Sequence, residues 1–426
     1  MTPNQNGFFG LGIAPVLLEK LNKLGFHTPT PIQSKGIPIA MEGKDVIGIA
    51  QTGTGKTLAF GLPVIQRLLN KPGRALILVP TRELALQVNE TVVKFAPALG
   101  ILSVVLIGGE NAGKQLADLR RKPRILIATP GRLNDFIGQG AVKLVDVHTV
   151  VIDEADRMLD MGFLPQIEKI LRLIPKERQN LLFSATMPSD IVKIAATHMH
   201  LPVRTEIAPS GTAAEKVSQE IFVVHKDAKK NLLLELLKKY TGSVLLFSRT
   251  KRGAKKIAVQ LREKGHSAAE IHSDRSLSQR KEALAGFKSG KYRILAATDI
   301  AARGIDVVGI ELVINYDIPE DPESYVHRIG RTGRAGQAGH AISFATPDQK
   351  KDIADIERLI KTSIARSKLP GLPAMEFDRG EHRSFTPGQN VKVNKDGHAW
   401  RPKRSGERNS ERNGGGEKRK YHFYRK

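Results

Sequence analysis

Cysteine is absent from this sequence of 426 residues, and aromatic residues make up only 5% of it. The lack of cysteine excludes a disulfide framework and thiolate metal sites, and it agrees with a reducing, cytoplasmic location. No apolar run approaches the roughly 18 residues of a membrane span, and the stretch MTPNQNGFFG lacks the charged and apolar regions of a secretory signal. We therefore expect a protein that works inside the cell without a membrane anchor.

Acidic residues are scarce relative to basic ones. The chain has 67 Lys and Arg against 43 Asp and Glu, which gives a net charge of +24. A surplus of this size favours a polyanionic partner, and nucleic acid is the first expectation. The 40% of hydrophobic residues is ample for packed cores, and the length suggests about two to three domains.

Short apolar runs alternate with segments of helical periodicity, which predicts an α/β fold with parallel sheets covered by helices. The pattern recurs, because LILVPT (76–81) and LLFSRT (245–250) are separated by the same offset as RILIAT (124–129) and RILAAT (293–298). One constant offset indicates a duplicated domain, although matches this short could also be unrelated. We place the domains at 1–207 and 217–362, with 208–216 as a linker of small and polar residues.

Residues 363–426 are expected to form a basic, disordered tail. From Arg379 onward, 14 Lys and Arg face 5 Asp and Glu, and few residues are apolar. Such a tail could simply keep the protein in solution. It could also bind RNA through its charge, with four aromatic residues between Trp400 and Tyr424 available to stack on bases, and the charge favours this second interpretation.

The stretch AQTGTGKT, residues 50–57, has the composition of a phosphate-binding loop between a strand and a helix. Gly53 and Gly55 let the backbone approach phosphates, and N–H groups at the start of the following helix supply donors. Lys56 would reach the β- and γ-phosphates, and Thr57 would ligate Mg²⁺. Ala50 stands where the strict motif has glycine, so a plain glycine-rich turn is the alternative.

The stretch VVIDEAD, residues 150–156, ends an apolar strand with Asp153 and Glu154. In open α/β sheets, ligands bind at the carboxyl ends of strands. Asp153 can hold Mg²⁺ through water, and Glu154 can orient and deprotonate an attacking water. Alone, such a pair is often a cap or a surface pair; together with a phosphate loop it indicates an NTPase site.

The stretch HRIGRTGR, residues 327–334, sets Arg328, Arg331 and Arg334 three residues apart among glycines. Such a run can form a basic patch that contacts nucleic acid. It can also hold guanidinium groups against one phosphate.

These stretches, together with PTREL (80–84), TPGR (129–132), SAT (184–186) and ATDIAARGID (297–306), resemble in order the motifs of the DEAD-box RNA helicases. The resemblance extends from about Phe8 to Ala345. It implies two tandem RecA-like domains joined by a short linker. DEADRMLDMGF and the short basic tail are similar to the bacterial RhlE-type subgroup.

The resemblance implies a site for ATP and Mg²⁺ on the first domain that the second domain completes. GFHTPTPIQ (25–33) matches the adenine-recognition motif, with Gln33 as reader of the adenine edge and Phe8 as a stacking aromatic, although Phe8 could as well be a core residue. The implied ATP-binding residues are Phe8, Phe26, Thr28, Gln33, Gln51, Thr52, Gly53, Thr54, Gly55, Lys56, Thr57 and, at the ribose, Asp306. The implied metal residues are Thr57 and Asp153.

The implied catalytic residues are Lys56, Asp153, Glu154, Arg331 and Arg334. The last two would be arginine fingers on the γ-phosphate, a role that can contribute about 10³–10⁵ in rate. Arg328 would instead form a structural salt bridge, and His327 would belong to an interdomain network. Ser184 and Thr186 resemble the link between hydrolysis and RNA.

The implied RNA contacts are distributed over both domains, and most would reach phosphate and sugar. We therefore expect binding with low sequence specificity and strong salt dependence, and recognition of the 2′-OH. Any one of these residues could instead be a loop cap or a surface charge. The implied residues are Thr81, Arg82, Gly109, Thr129, Arg132, Arg249, Gln279, Arg280, Thr298 and Asp299.

We expect an ATP-dependent RNA helicase that separates short RNA duplexes by local strand bending or remodels ribonucleoproteins, for example in ribosome assembly or RNA decay. One alternative is an RNA-stimulated ATPase that clamps ribonucleoproteins without useful unwinding. Others are a DNA helicase and a non-enzymatic RNA-binding protein. The last of these is opposed by the intact residues Lys56, Asp153, Glu154, Arg331 and Arg334.

Overall fold

The structure is a computed structural model, and it describes residues 7–51, 53–207, 217–302, 307, 309–333, 339–368 and 375–377, without the side chains of residues 300 and 302. The predicted linker, 208–216, and the charged tail from Arg379 onward lie outside the described residues.

The first half of the chain builds a parallel β-sheet. Among the described residues its strands are β1 (Val46–Ile49), β2 (Arg74–Leu78), β3 (Ser103–Leu106), β4 (Ile125–Ala128), β5 (Val147–Asp153), β6 (Gln179–Ser184) and β7 (Val203–Glu206). Their order across the sheet is β3-β4-β2-β5-β6-β1-β7. We call this sheet and the helices that cover it the first lobe.

The second half builds a second parallel sheet. Within the described part of the chain its strands are β8 (Val217–Val223), β9 (Val244–Phe247), β10 (Ala268–Ile271), β11 (Ile294–Ala297), β12 (Leu312–Asn315), β13 (Gly339–Ala345) and β14 (Ala365–Arg366). Their order is β10-β11-β9-β12-β13-β8-β14. This sheet and its helices form the second lobe.

The helices of the first lobe connect and cover its strands. They are α1 (Pro15–Lys23), α2 (Pro31–Met41), α3 (Lys56–Asn70), α4 (Arg82–Val92), α5 (Ala112–Arg120), α6 (Pro130–Gly138), α7 (Ala155–Asp160), α8 (Leu164–Arg172) and α9 (Ser189–His198), with a 3₁₀ turn at Pro97–Leu99. The helices of the second lobe are α10 (Lys229–Lys239), α11 (Lys251–Glu263), α12 (Leu277–Lys288), α13 (Asp299–Ala302), α14 (Pro322–Ile329) and α15 (Lys350–Ile360), with 3₁₀ turns at Lys226–Ala228 and Pro347–Gln349.

The central strands are buried on both faces, which explains why they are continuous apolar runs rather than alternating patterns. VIGI in β1, ILIA in β4 and VLLF in β9 are buried at every position. An apolar cluster packs on each face of each sheet. The α/β class that the sequence predicts is confirmed.

The two sheets have the same strand order, counted from the first strand of each. The repeated stretch LILVPT supplies the end of β2 and LLFSRT supplies β9, and these two strands hold equivalent positions. RILIAT and RILAAT likewise supply the equivalent strands β4 and β11. The predicted duplication is therefore confirmed by the topology.

The last strand of the second sheet extends past residue 362, which the sequence pattern indicates as the end of the second domain. β14 pairs in parallel with β8, and the Met375 N–H donates to the carbonyl of Val223 at 3.2 Å. These backbone bonds attach residues 365–366 and 375 to the second lobe. A two-residue strand has no detectable sequence period, which is why the pattern does not indicate it.

No helix in the described residues is both long and apolar enough to cross a membrane.

Candidate functional site

The motifs predicted to handle ATP come together at one edge of the first sheet. β5, β6 and β1 are neighbours in the sheet, and their carboxyl ends point the same way because the strands are parallel. The phosphate loop follows β1, Asp153 is the last residue of β5, and the SAT stretch begins with Ser184, the last residue of β6. This is the edge at which open α/β sheets bind ligands.

The phosphate loop has the conformation that its glycines permit. Gly53 and Gly55 have φ angles of 84° and 88°, and α3 begins immediately afterwards at Lys56. Lys56 is buried, and its Nζ donates to the Ala50 carbonyl at 3.0 Å. Ala50 is itself a core residue at the end of the strand, so the missing glycine does not disturb the loop. Thr54 closes the turn through a bond from its Oγ1 to the carbonyl of Gln51 at 2.7 Å.

Asp153 and Glu154 are both buried carboxylates, yet their pKa values move in opposite directions. Burial raises the pKa of Asp153 to about 6, against the opposing charge of Lys56, whose Nζ lies 3.9 Å away. Burial also acts to raise the pKa of Glu154, but the cations of Arg157, Lys56 and Arg331 outweigh it and lower the pKa below the usual value. Glu154 is therefore held ionised, as a proton acceptor must be.

The residues at this edge fit a magnesium–nucleotide complex. Asp153 is 2% exposed, and its carboxylate lies 3.9 Å from Lys56 Nζ, beside the phosphate loop. A carboxylate and a hydroxyl are oxygen ligands of the kind that Mg²⁺ prefers, and Thr57 lies in the first turn of the helix that follows the loop. Bound Mg²⁺ would neutralise charge on the phosphates, with Thr57 and Asp153 as the protein groups that hold it, largely through water.

The adenine-recognition stretch is hydrogen-bonded to the phosphate loop. Gln33 is 3% exposed; its Oε1 accepts from the Thr30 N–H at 2.9 Å and its Nε2 donates to the Gly55 carbonyl at 2.9 Å. A Cβ at Gly55 would lie 2.4 Å from Gln33 Nε2, so glycine is required for this contact. Phe8 is 5% exposed within the core, whereas Phe26 and Thr28 are exposed. Their contacts with adenine stay predictions.

Asp156 links the strand ends of β5 and β6. Its Oδ2 accepts from the Ala185 N–H at 3.1 Å and from the N–H and Oγ1 of Thr186 at 2.9 and 3.1 Å. Its own N–H donates to Ser184 Oγ at 3.1 Å. Ser184 and Thr186, the predicted coupling residues, are thus joined directly to the carboxylate stretch at the predicted ATP edge.

The second lobe contributes its arginines to the same region. Arg331 is 3% exposed, its Nε donates to the His327 carbonyl at 3.1 Å, and its charge is close enough to lower the pKa of Glu154. Arg328 pairs with Asp299 instead, with Nε–Oδ1 and Nη2–Oδ2 distances of 2.6 and 2.7 Å, which confirms the predicted structural salt bridge. Of the other predicted ATP residues, Thr52, Asp306 and Arg334 lie outside the described residues.

The predicted RNA residues follow equivalent strands in the two lobes. Those of the first lobe come after β2, β3 and β4, and those of the second come after β9, β10 and β11. These three strands are neighbours at one side of each sheet, away from β1 and β8. The topology therefore separates the predicted RNA residues from the ATP edge while keeping both on the carboxyl ends of the strands.

Three guanidinium groups converge on the RNA side. Burial and the charges of Arg280 and Arg132 lower the pKa of Arg82, although Glu83 and Glu110 oppose them. The guanidinium of Arg82 lies against the loop after β3, where a Cβ at Gly109 would be 2.0 Å from its Nη1. Mutual repulsion among cations indicates a site that an anion would stabilise, and a phosphate matches it.

The other predicted RNA residues differ in their burial and in their hydrogen bonds. Thr81 is buried and caps α4 by accepting from the Leu84 N–H at 3.2 Å, and Arg132 donates to the Ile107 carbonyl at 3.1 Å. Gln279 is exposed and accepts from the Ser276 N–H at 3.0 Å in a capping box. Thr129 is buried, and Thr298 is half-buried. Their RNA contacts stay predictions, as does that of Asp299, whose carboxylate is engaged by Arg328.

Arg249 is exposed on a loop that the half-buried Asp317 holds. Asp317 Oδ2 accepts from Ser248 Oγ and from the Arg249 N–H, both at 3.0 Å. Lys229 is 5% exposed; its Nζ donates to Asp317 Oδ1 at 3.1 Å and to the Tyr316 carbonyl at 2.7 Å. Asp317 therefore joins both the loop after β9 and the start of α10 to the segment that follows β12.

The two lobes contact each other in two places, one near the predicted RNA residues and one near the ATP edge. On the RNA side, Arg280 pairs with Glu83 at 3.1 Å, and Lys281 pairs with Glu110 at 3.1 Å. On the ATP side, His327 Nε2 is 4.0 Å from Asp156 Oδ2, which places His327 at the boundary between the lobes, as the sequence predicts. A cavity of about 470 Å³ opens beside this last contact.

Comparison with known families matches both lobes. A model described as DEAD/DEAH box helicase matches residues 30–194, and one described as helicase conserved C-terminal domain matches residues 228–336. The DEAD-box ATP-dependent RNA helicase CshA of Geobacillus kaustophilus is 44% identical over 368 residues, which are 86% of this chain and 79% of that protein. The chain belongs to the DEAD-box RNA helicase family.

Other relatives of this DEAD-box protein include the ATP-dependent rRNA helicase RRP3 of Meyerozyma guilliermondii, which is 41% identical over 93% of this chain and 84% of its own length. Among solved structures, S. cerevisiae Dbp5 bound to RNA and ADP BeF3 is 30% identical, with a TM-score of 0.77 over 85% of this chain and 95% of that chain. The likeness supports the assignment of both sheets as RecA-like.

Two residues of this DEAD-box site are not singled out by the sequence. Asp156 belongs to the stretch VVIDEAD, but only the fold reveals that its carboxylate binds the SAT backbone. Arg157 is the next residue, and its Nη1 donates to Glu154 Oε2 at 2.7 Å. A spacing of three residues at a helix start is the available signal for this pair.

Proposed function

We propose that this DEAD-box protein is an ATP-dependent RNA helicase that hydrolyses ATP in an RNA-stimulated manner and locally unwinds short duplexes or remodels ribonucleoproteins. The observation that supports it is geometric: Arg331 of the second lobe lines the same small cavity as Arg157 of the first, and Arg157 Nη1 donates to Glu154 Oε2 at 2.7 Å. The groups needed for hydrolysis thus come from both lobes, and the same two lobes present the predicted RNA residues.

The chemistry assigns one role to each group at the ATP edge. Lys56 and the N–H groups at the start of α3 bind the phosphates. Glu154 takes the proton of the attacking water, and Arg331 stabilises the negative charge that develops on the γ-phosphoryl oxygens. The Asp156–Thr186 bonds transmit a change at the phosphates to the SAT segment.

RNA binding completes the cycle. A strand lying across Arg82 and Arg132 of the first lobe and Arg280 of the second would bring the lobes together, because each lobe supplies only part of the cationic surface. Closure brings Arg331 to the ATP, so RNA stimulates hydrolysis. Opening after phosphate release would free the strand.

The subgroup of the protein, its location in the cell and its cellular role are also part of the proposal. The RhlE-type subgroup rests on the stretch DEADRMLDMGF, whereas the relatives named above are a CshA and an RRP3 protein. A cytoplasmic location rests on the absence of cysteine from the sequence. A role in ribosome assembly is supported by the name of the RRP3 relative, an rRNA helicase.

The test is ATP hydrolysis measured with and without single-stranded RNA, in parallel with release of a labelled strand from a short RNA duplex. Stimulation together with strand release supports a helicase. Stimulation without strand release identifies a clamp or remodelling ATPase instead. Hydrolysis that RNA does not stimulate, or that DNA stimulates equally, contradicts the proposal.

A further inference from the structure

Arg157 is a buried cation beside the proposed catalytic base. It is 1% exposed and ranks among the largest side chains that are fully buried. An arginine is rarely buried to this extent without a specific partner. Its partner is Glu154, with an Nη1–Oε2 distance of 2.7 Å, one helical turn earlier in the chain.

Glu154 is the cap residue between β5 and α7, and several cations lie around its carboxylate. It has φ 55° and ψ 51°, a left-handed conformation that L residues rarely adopt, at the junction of β5 and α7. Lys56 and Arg331 are two further cations close enough to lower its pKa. A carboxylate that turned to pair with Lys56 would occupy the group that must bind phosphate.

The Arg157–Glu154 contact prevents that turn. It is a charge-assisted hydrogen bond in a buried setting, where such bonds are short and strong. Arg157 also lines a small cavity together with Arg331, His327 and Arg328 of the second lobe. Its Nη2 is buried and has no hydrogen-bond partner among the described residues. Arg157 therefore stands between the base and the part of the second lobe that completes the site.

We propose that Arg157 is a positioning residue: it holds the Glu154 carboxylate in the orientation that accepts the proton of the attacking water, so that it acts on hydrolysis and not on binding of ATP or RNA. The proposal rests on the function proposed above. It concerns a residue to which the family resemblance assigns no role in the site. A purely structural arginine would affect stability and leave the turnover of the folded enzyme unchanged.

The experiment compares Arg157→Met and Arg157→Lys with the wild type in RNA-stimulated hydrolysis. Misplacing a catalytic group by about 1 Å can cost roughly 100-fold in rate, so kcat of Arg157→Met should fall on that scale. KM for ATP and the RNA concentration for half-maximal stimulation should stay unchanged. Arg157→Lys keeps the charge at the same site and should recover part of the lost kcat.

Arg178→Met is the matched control. Arg178 is a half-buried arginine of the first lobe, bonded to Asn180 Oδ1 at 2.7 Å and to the carbonyl of Pro175 at 3.0 Å. It precedes β6 and so lies at the opposite end of the sheet from the ATP edge. Its loss should lower Tm without lowering kcat of the folded enzyme.

A second comparison shows whether Arg157 acts through Glu154. In Glu154→Gln the base is already lost, so adding Arg157→Met or Arg157→Lys should slow hydrolysis no further. The inference is overturned if the Arg157 variants hydrolyse ATP like the wild type, if they raise KM rather than lower kcat, or if they slow Glu154→Gln further. A wild type that shows no RNA-stimulated hydrolysis would instead contradict the proposed function.

If Arg157→Met does not fold, as judged by its thermal transition, Arg157→Lys and its combination with Glu154→Gln decide the question alone.

Discussion

Arg280 of α12 forms an ion pair with Glu83 of α4 across the two lobes, with Nη2 and Oε1 3.1 Å apart and only 9% and 6% of the two side chains exposed. The neighbouring interlobe pair, Lys281–Glu110, has the same 3.1 Å separation, but its side chains are 48% and 32% exposed. The two pairs thus differ in burial and not in length. Burial decides how strongly a charge pair is coupled.

We therefore expect the buried pair to contribute more to closure on RNA. Double-mutant cycles with Glu83→Gln and Arg280→Gln should give a coupling of about 1–3 kcal/mol in the affinity for single-stranded RNA. The equivalent cycle with Glu110→Gln and Lys281→Gln should give less than about 1 kcal/mol. Both cycles are measured with a non-hydrolysable ATP analogue present. Equal coupling energies would contradict the expectation that the buried pair contributes more to closure.

Gly109 allows Arg82 to lie against the loop after β3. In Gly109→Ala the new Cβ would be 2.0 Å from Arg82 Nη1, so the guanidinium must move. A lost charged hydrogen bond costs about 1.5–3 kcal/mol, so affinity for RNA should fall at least about tenfold while affinity for ATP is unchanged.

Gly140→Ala is the control for backbone strain. Gly140 has φ 70°, close to the 74° of Gly109, but a Cβ there would meet nothing within 4 Å. This variant should bind RNA normally. An equal loss of RNA affinity in both variants would show that strain, and not the position of Arg82, is responsible.

Lys229 supports the loop that carries Arg249, through Asp317. Lys229→Met leaves the half-buried Asp317 carboxylate without its main cation, which should lower the free energy of unfolding by about 1–3 kcal/mol. The freed loop should also weaken RNA binding. The adjacent Lys230 is exposed, and Lys230→Met removes the same charge from the surface. RNA titrations of the folded variants should show a larger loss of RNA affinity for Lys229→Met than for Lys230→Met. Equal losses would show that the removal of one positive charge explains the whole effect.

Ser184 and Thr186 belong to the SAT segment, and their bonds with Asp156 join this segment to the carboxylate stretch. Ser184→Ala and Thr186→Val should keep RNA-stimulated ATP hydrolysis but reduce strand release from a short duplex, because the hydrolytic groups stay in place while the link is weakened. Thr197→Ala, an exposed threonine on α9 that bonds only to the Lys193 carbonyl among the described residues, should change neither rate. Parallel loss of hydrolysis and strand release in the Ser184 and Thr186 variants would argue against a coupling role.

The sequence is sufficient to predict the architecture because apolar runs buried on both faces of a parallel sheet leave a continuous signal. The repeat of LILVPT and LLFSRT correctly identifies two strands that hold equivalent positions in the two sheets. β14 escapes prediction because two residues carry no period and are fixed only by their bonds to β8. The prediction of β14 therefore fails because the strand is short, and not because of the fold to which it belongs.

A motif that stands in one continuous stretch allows site residues such as Lys56 and Glu154 to be proposed from the sequence, and their roles stay predictions. Arg157, Asp317 and Lys229 cannot be assigned from sequence, because their importance depends on burial and on partners in other elements. Gln33 illustrates the intermediate case: its place near ATP is expected, whereas its bond to the Gly55 carbonyl depends on how α2 packs against the loop. Roles that depend on contacts between elements need the fold.

Arg331→Ala shows whether an arginine of the second lobe completes the ATP site of the first. Steady-state ATP hydrolysis is measured with and without single-stranded RNA, alongside binding of ATP and RNA. We predict that the substitution abolishes the RNA-stimulated rate while ATP still binds. If Arg331→Ala hydrolyses ATP normally but binds RNA weakly, HRIGRTGR is a basic patch for RNA, and the two-lobe mechanism of hydrolysis is wrong.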